Sequence, residues 1–138
     1  MANSDTLNIA PEPKDLECGA IIHRGVKSSW LNTTINPPKP TRDAFTPRPN
    51  GADDDGLSAG LTAQAIKESL RKAGTVSLHV GRMRNLGLHV YPDPEDNTHA
   101  LIVGVPALPE RATKEEIARF EFLMAGLIDI ARHHPRQK

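Results

Sequence analysis

Arg24 is the residue of this sequence whose surroundings most demand a partner. It sits in residues 18–26, CGAIIHRGV, an otherwise apolar run. A guanidinium there must reach a carboxylate, backbone carbonyls or a bound anion. His99 is the second such residue, since it opens the apolar run ALIVGVP directly after the polar stretch DPEDNT. An imidazole at a strand end is placed to titrate or to bind; it can equally hydrogen-bond to the polar loop beside it. Arg82 and Arg84 flank Met83 ahead of Asn85, which makes either a small anion-binding edge or a solvated turn. Cys18, Ser28, Ser29 and Ser58 are candidate nucleophiles, but none lies in a GxSxG elbow. Each would need a base held within hydrogen-bond reach. His23 is set aside as that base for Arg24's neighbourhood, because adjacent residues of a strand point to opposite faces. Neither GxxxxGK[ST] nor GxGxxG occurs, so the common phosphate loops are missing.

Metal chemistry has two candidate sets. Asp53-Asp54-Asp55-Gly56 resembles the start of a calcium loop. Setting Gly56 at the sixth position puts Thr62 at the twelfth, where a bidentate Glu is required. An acidic turn is therefore expected. His79 and His89 could face each other across a hairpin, with Asp93 or His99 as a third ligand. No zinc-ligand spacing supports them, and the single cysteine, Cys18, can build neither a structural zinc site nor an internal disulfide. No metal and no cofactor are expected.

The elements that must position these residues can be read from periodicity. Residues 1–17 are polar, with two prolines and no sustained period, and read as a flexible N-terminal arm. Residues 18–138 then form one domain. Residues 18–26 are the first strand, leading into Trp30 and Leu31, which should pack back onto the core. Residues 32–56 are the least regular region. Five prolines, Pro37, Pro38, Pro40, Pro47 and Pro49, rule out a helix there and discourage a central strand. Phe45 should pin this Pro-rich loop to the core, and a loop so long is often a binding surface. LSAG, at 57–60, reads as a short buried strand. Ala65, Ile66, Ser69, Leu70 and Ala73 then fall on one helical face, with Thr62 as N-cap and Gly74 just past the end. Residues 75–80 and 88–91 have strand character, and GRMRNLG between them is a hairpin loop or one helical turn. Residues 100–106 suit a strand buried on both faces. Thr113 with Glu116 forms a capping-box signature, followed by an apolar face of Ile117, Phe120, Met124, Leu127, Ile128 and Ala131. Arg132, His133 and His134 should occupy the last turn before Pro135. The fold expected is α+β: a two-layer domain with a mixed or antiparallel sheet of about four strands and two main helices.

Composition narrows the function. A chain of 138 residues can bury a core without staples, and 38% hydrophobic with 25% charged is globular. Aromatics are only 4%, so Trp30, Phe45, Phe120 and Phe122 should each hold a large share of the buried area. Net charge is zero and no segment is strongly basic, which disfavours nucleic-acid binding by bulk electrostatics. The absence of a basic-then-apolar opening and of any apolar stretch of about 18 residues leads to the expectation of a cytoplasmic protein that does not enter membranes.

With these elements placed, a resemblance is visible. HRGV, Trp30, Ala44-Phe45, DGLS, RNLGL with Val90, and DP followed by HALI and Gly104 are similar to a family of short uncharacterised bacterial proteins. The likeness runs from about Ile22 to Gly104, and implies that Arg24, Trp30, Phe45, Ser58, Asp93 and His99 stand at motif positions. Ala59-Gly60 stands where the pattern has a β-branched residue, which loosens the strand expectation there. A further likeness is to ADP-ribosyltransferases, in which an early strand arginine grips NAD phosphates and a strand serine orders the arginine pocket. Arg24 and Ser58 match those positions, while the late catalytic glutamate has no counterpart. The leading expectation is a non-enzymatic binding or accessory protein acting through a protein partner, with a ligand or partner site at Arg24, Trp30, Ser58, Asp93 and His99. The rivals are a small or degenerate enzyme with an Arg24, Ser58 and His99 pocket for a nucleotide-like substrate, and a metal-assisted hydrolase using His79, His89, His99 and Asp93.

Overall fold

The alternation of apolar and polar residues along 75–80 requires a sheet with one buried face, and that is what forms. The computed structural model describes residues 16–47 and 57–136. Its main sheet has six strands: β1 (Ile21–Gly25), β4 (Leu57–Gly60), β5 (Thr75–His79), β6 (His89–Asp93), β7 (Asp96–Val103) and β8 (Arg132–His134). The order is β6-β7-β4-β1-β5-β8, with every pairing antiparallel. A separate two-stranded ribbon pairs β2 (Leu31–Asn32) with β3 (Lys39–Pro40).

The registers sort the side chains into two sets. Ile22 lies opposite Leu78, Arg24 opposite Val76, and Leu57 opposite Ile102, which in turn faces Val90. These residues share one face and, apart from Arg24, are buried there. Two helices cover that face: α1 (Val80–Asn85) and α2 (Lys114–Ile130). Val80 and Met83 of α1, and Phe120, Leu123, Met124 and Leu127 of α2, complete the core. Because β5 and β6 lie on opposite sides of β7, β4 and β1, α1 carries the chain across the core face between them.

The α2 helix starts as expected. Thr113 Oγ1 accepts from the Glu116 N–H at 3.1 Å, and Glu116 Oε1 accepts from the Thr113 N–H at 2.9 Å, so two orphan donors are satisfied reciprocally. Its other end departs from expectation. The helix stops at Ile130, and Arg132, His133 and His134 form β8 beside β5 instead of a last helical turn. Ala131 turns extended, and Lys39 Nζ donates to the carbonyls of Asp129 and Ala131, each at 2.9 Å. A cation thus caps the helix where its carbonyls would be orphaned.

Four further expectations are corrected. The sheet has six strands rather than about four, because all five segments with strand character pair into it, LSAG included, and β8 adds a sixth. The helix expected over 62–74 is two 3₁₀ turns, Ala63–Ala65 and Glu68–Leu70. Thr62 does cap the first, accepting from the Ala65 N–H at 3.2 Å. The segment lies flat against β1 and β4, so only Ile66 of its apolar residues is buried and Leu70 is 63% exposed. The Pro-rich region is also less irregular than expected, holding the β2–β3 ribbon and a 3₁₀ turn at Arg42–Ala44. Phe45 is fully buried, as its place in the loop suggested. Phe122, expected in the core, is 62% exposed, and Leu123 takes the buried position.

The edge strand β6 is met from outside by Leu16, whose N–H donates to the Val90 carbonyl at 2.8 Å while its side chain packs against the core. Residues 1–15, and with them most of the expected arm, lie outside the described residues, as does the Asp53-Asp54-Asp55-Gly56 turn. No helix among the described residues is long and apolar enough to cross a membrane.

Candidate functional site

Apart from Arg24 and His133, which share the helix-side parity of Val76, strand alternation places most polar residues of β1, β4, β5, β7 and β8 on the face opposite the helices. His99, Gly60, His23, Ser77 and Arg132 are register partners in sequence across β7, β4, β1, β5 and β8, so they form one row along that face. His134, His79 and His89 lie on the same face at neighbouring positions. Five of the chain's six histidines, His23, His79, His89, His99 and His134, therefore share one side of the sheet.

The 3₁₀ segment that follows β4 covers the middle of this face. It can lie so close because β1 and β4 present glycines to it. A Cβ on Gly25 would stand 2.1 Å from the Leu70 carbonyl oxygen, and one on Gly60 would stand 2.7 Å from the Thr62 carbonyl oxygen. Both are far inside contact distance, so no other residue fits without moving the segment. β1 and β4 share the single register pair His23↔Gly60. Where they separate, Arg24 spans the gap: Nε donates to the Ala44 carbonyl at 2.9 Å and Nη1 to the Ser58 carbonyl at 2.5 Å. Of the three partners Arg24 could have taken, backbone carbonyls are among those it uses, tying β1 to β4 and to the 3₁₀ turn before Phe45.

The fork opens into a cavity of about 420 Å³. Arg24, Trp30, Ser58 and His99 line it together with His23, Lys27, Lys67, Ile66 and Leu70. Among the described residues no acidic side chain lines it. Lys27 Nζ sits 4.7 Å from the Trp30 ring centre, a cation–π contact that holds both at the mouth. His99 Nδ1 is 2.8 Å from Asp96 Oδ2 and 3.0 Å from Thr98 Oγ1, so the ring is fixed by the hairpin beside it. Asp96 is in turn held below the usual carboxylate range by the Thr98 hydroxyl first, then the Thr98 N–H, with a smaller contribution from His99.

His23 stands at the back of this cavity and also lines a second one. Burial, and then the nearby His134, hold it below the usual imidazole range, which favours the neutral ring. Its Nδ1 is buried and makes no hydrogen bond among the described residues.

The remaining candidates scatter. Asp93 sits in the β6–β7 hairpin, where its Oδ1 accepts from the Glu95 N–H at 2.9 Å, and it does not line the cavity. Ser28 and Ser29 form the exposed 3₁₀ turn before Trp30. Cys18 is exposed, with Arg84 Nη1 3.1 Å from its sulfur. Arg82 and Arg84 belong to α1 rather than to a loop edge. His79 and His89 are not hairpin neighbours, since three strands lie between β5 and β6. No group of three potential metal ligands exists among the described residues. Sequence reasoning missed His23, Lys27, Lys67 and Asp96. The signal that could have found the cavity was the pair of strand glycines, Gly25 and Gly60, which mark close approach of another segment.

No family model, curated protein or solved structure matches this chain.

Proposed function

We propose that the protein is a non-enzymatic binding domain whose cavity takes a small anionic ligand with a flat apolar body, of the nucleotide class. One observation supports this above all: a cavity of about 420 Å³ has Arg24, Lys27, Lys67, His23 and His99 around Trp30 and, among the described residues, no acidic side chain in its lining. That volume falls in the range of small-molecule sites, roughly 300–1,000 Å³. The indole and the apolar side chains of Ile66 and Leu70 suit a planar body, while the lysines suit its charge. Four of the six positions shared with the short bacterial family, Arg24, Trp30, Ser58 and His99, lie on this wall. Phe45 and Asp93, the other two, serve the core and a turn.

Trp30 is the only tryptophan, so its fluorescence reports on the cavity directly. Adenosine monophosphate is expected to quench it saturably, adenosine much less. Lys27→Gln and Lys67→Gln should each weaken binding several-fold, as loss of a charge contact does. Quenching that is linear in nucleotide, or identical in both variants, would rule the reading out.

A second reading, a hydrolytic or transfer enzyme, is favoured by the Asp96–His99 pair. A carboxylate on Nδ1 orients an imidazole so that Nε2 can act as a base. Ser58 lies diagonally from His99 across β4 and β7, roughly 7–8 Å away at such positions. Covalent labelling of Ser58 by a fluorophosphonate, abolished by His99→Gln, would support it; an unreacted Ser58 would exclude it. The expected role through a protein partner stands as part of the same proposal. It is supported by the exposed Ile117 and Phe122 on α2 and by the exposed Ile35 of the Pro-rich loop, while Phe45 and Pro47 of that loop are buried.

A further inference from the structure

Beyond the cavity at Trp30, the same face of the sheet holds a second one of about 250 Å³ on the other side of His23. His23, Arg71, His134 and Arg136 line it with Gln64 and Thr75, and among the described residues no acidic side chain does. Its construction is specific. Arg71 Nε donates to the Ile66 carbonyl at 2.8 Å, which fixes the guanidinium while leaving its terminal nitrogens uncommitted among the described residues. Gly74, at φ +97°, lets the chain cross β8 so closely that a Cβ would stand 2.1 Å from the His134 carbonyl oxygen and 2.9 Å from the Arg136 nitrogen. That crossing brings Arg136 to the same cavity as Arg71. His134 Nε2 is 2.9 Å from Ser77 Oγ, and its ring centre lies 6.4 Å from that of His23.

Two guanidinium groups around one concavity repel each other unless an anion sits between them. No carboxylate among the described residues pairs with either of them, or with His23 or His134. We propose that this second cavity binds an oxyanion, a sulfate-, phosphate- or carboxylate-class group, between Arg71 and Arg136, with uptake of a proton by the His23–His134 pair. Burial first, and then His134, favour the neutral ring of His23; an anion beside it favours the charged ring, so binding and protonation favour each other. The buried, unpartnered Nδ1 of His23 gains a use in this scheme, since a protonated ring needs an acceptor on each nitrogen. The other charged groups near the pair are also basic. Arg132 lies opposite Ser77 on β8, and Lys27, Lys67 and His99 face His23 from the first cavity. They strengthen attraction for an anion but do not supply one.

The proposal does not depend on the first cavity holding a ligand, and the two can be told apart. Sulfate is the probe, because its charge is constant from about pH 6 to about pH 8, the range in which imidazoles titrate. Histidine ring resonances are followed during a sulfate titration of the full chain at constant ionic strength. Saturable shifts of His23 and His134 are expected, with affinity about tenfold tighter at about pH 6 than at about pH 8. Arg136→Gln, at an exposed position outside the core, should weaken binding about tenfold. His134→Asn should remove most of the pH dependence. Trp30 fluorescence should not follow the sulfate titration, since Trp30 lines only the first cavity. Shifts that chloride reproduces, affinity unchanged in Arg136→Gln, or a Trp30 response with the same midpoint would each overturn the proposal.

Discussion

The two faces of the six-stranded sheet are built from the same strands by alternate residues, yet they obey different rules. On the helix side, Ile22, Leu78, Val76, Val90 and Ile102 meet α1, α2 and Phe45 in a continuous core. On the other side, His23, Ser58, Ser77, His99 and His134 lie, among the described residues, beneath a pair of 3₁₀ turns and around two cavities. The first face is a contiguous cluster of buried apolar side chains, as interiors are. The second is held open by a backbone segment resting on glycines. Stability is therefore concentrated on one side and chemistry on the other, with Arg24 tying the strands together where they fork.

Substitutions can break that division in order of expected size. Phe45→Ala empties a fully buried site on the core side and should cost about 3–5 kcal/mol in chemical denaturation. A loss under about 1 kcal/mol would mean that the loop is not pinned by this ring. Gly25→Ala tests the opposite face. Its Cβ would collide with the Leu70 carbonyl, so a loss of about 1–3 kcal/mol is expected together with loss of the nucleotide-dependent Trp30 quenching. Retained quenching would separate the cavity from the segment that covers it. Thr113→Ala removes the capping box of α2 and should cost about 1 kcal/mol without touching either cavity.

A smaller effect is expected from pH. His23 is held below the ordinary value of 6.5, so below that value the unfolded chain takes up a proton that the native chain resists. Stability should fall as pH drops from about 6.5 towards the depressed native value, and His23→Gln should flatten that slope. Equal slopes in both proteins would remove His23 as the cause. The smallest change is Phe122→Ala, expected within about 0.5 kcal/mol because the ring is largely in solvent.

The core face could be read from the sequence because alternation and helical periodicity report burial directly. Thr113 with Glu116 marks the start of α2, and Val76 and Leu78 mark β5. The same logic misled at 62–74, where Ala65, Ile66 and Leu70 have helical spacing but the segment is pressed flat at Gly25 and Gly60. Local pattern cannot register a contact made by backbone to a distant glycine. It misled again at Arg132 to His134, where pairing with β5 overrode the helical tendency. Arg24, Ser58 and His99 were singled out singly, by their unusual surroundings, and share one wall only because β4 lies between β1 and β7. His23 was discarded because it points away from Arg24. It does point away, and that direction sets it between the two cavities.

The Leu16–Val90 hydrogen bond has a consequence for how the molecule behaves in company. A sheet ends in two rows of unpaired donors and acceptors, which are templates for another chain's strand. On the β6 side, Leu16 occupies Val90's outward carbonyl, and Pro92 removes a donor from the same edge. On the other side, β8 is three residues long, carries Arg132, and is followed directly by Pro135. Both borders are thus closed to strand addition, which discourages edge-to-edge aggregation between copies of the chain.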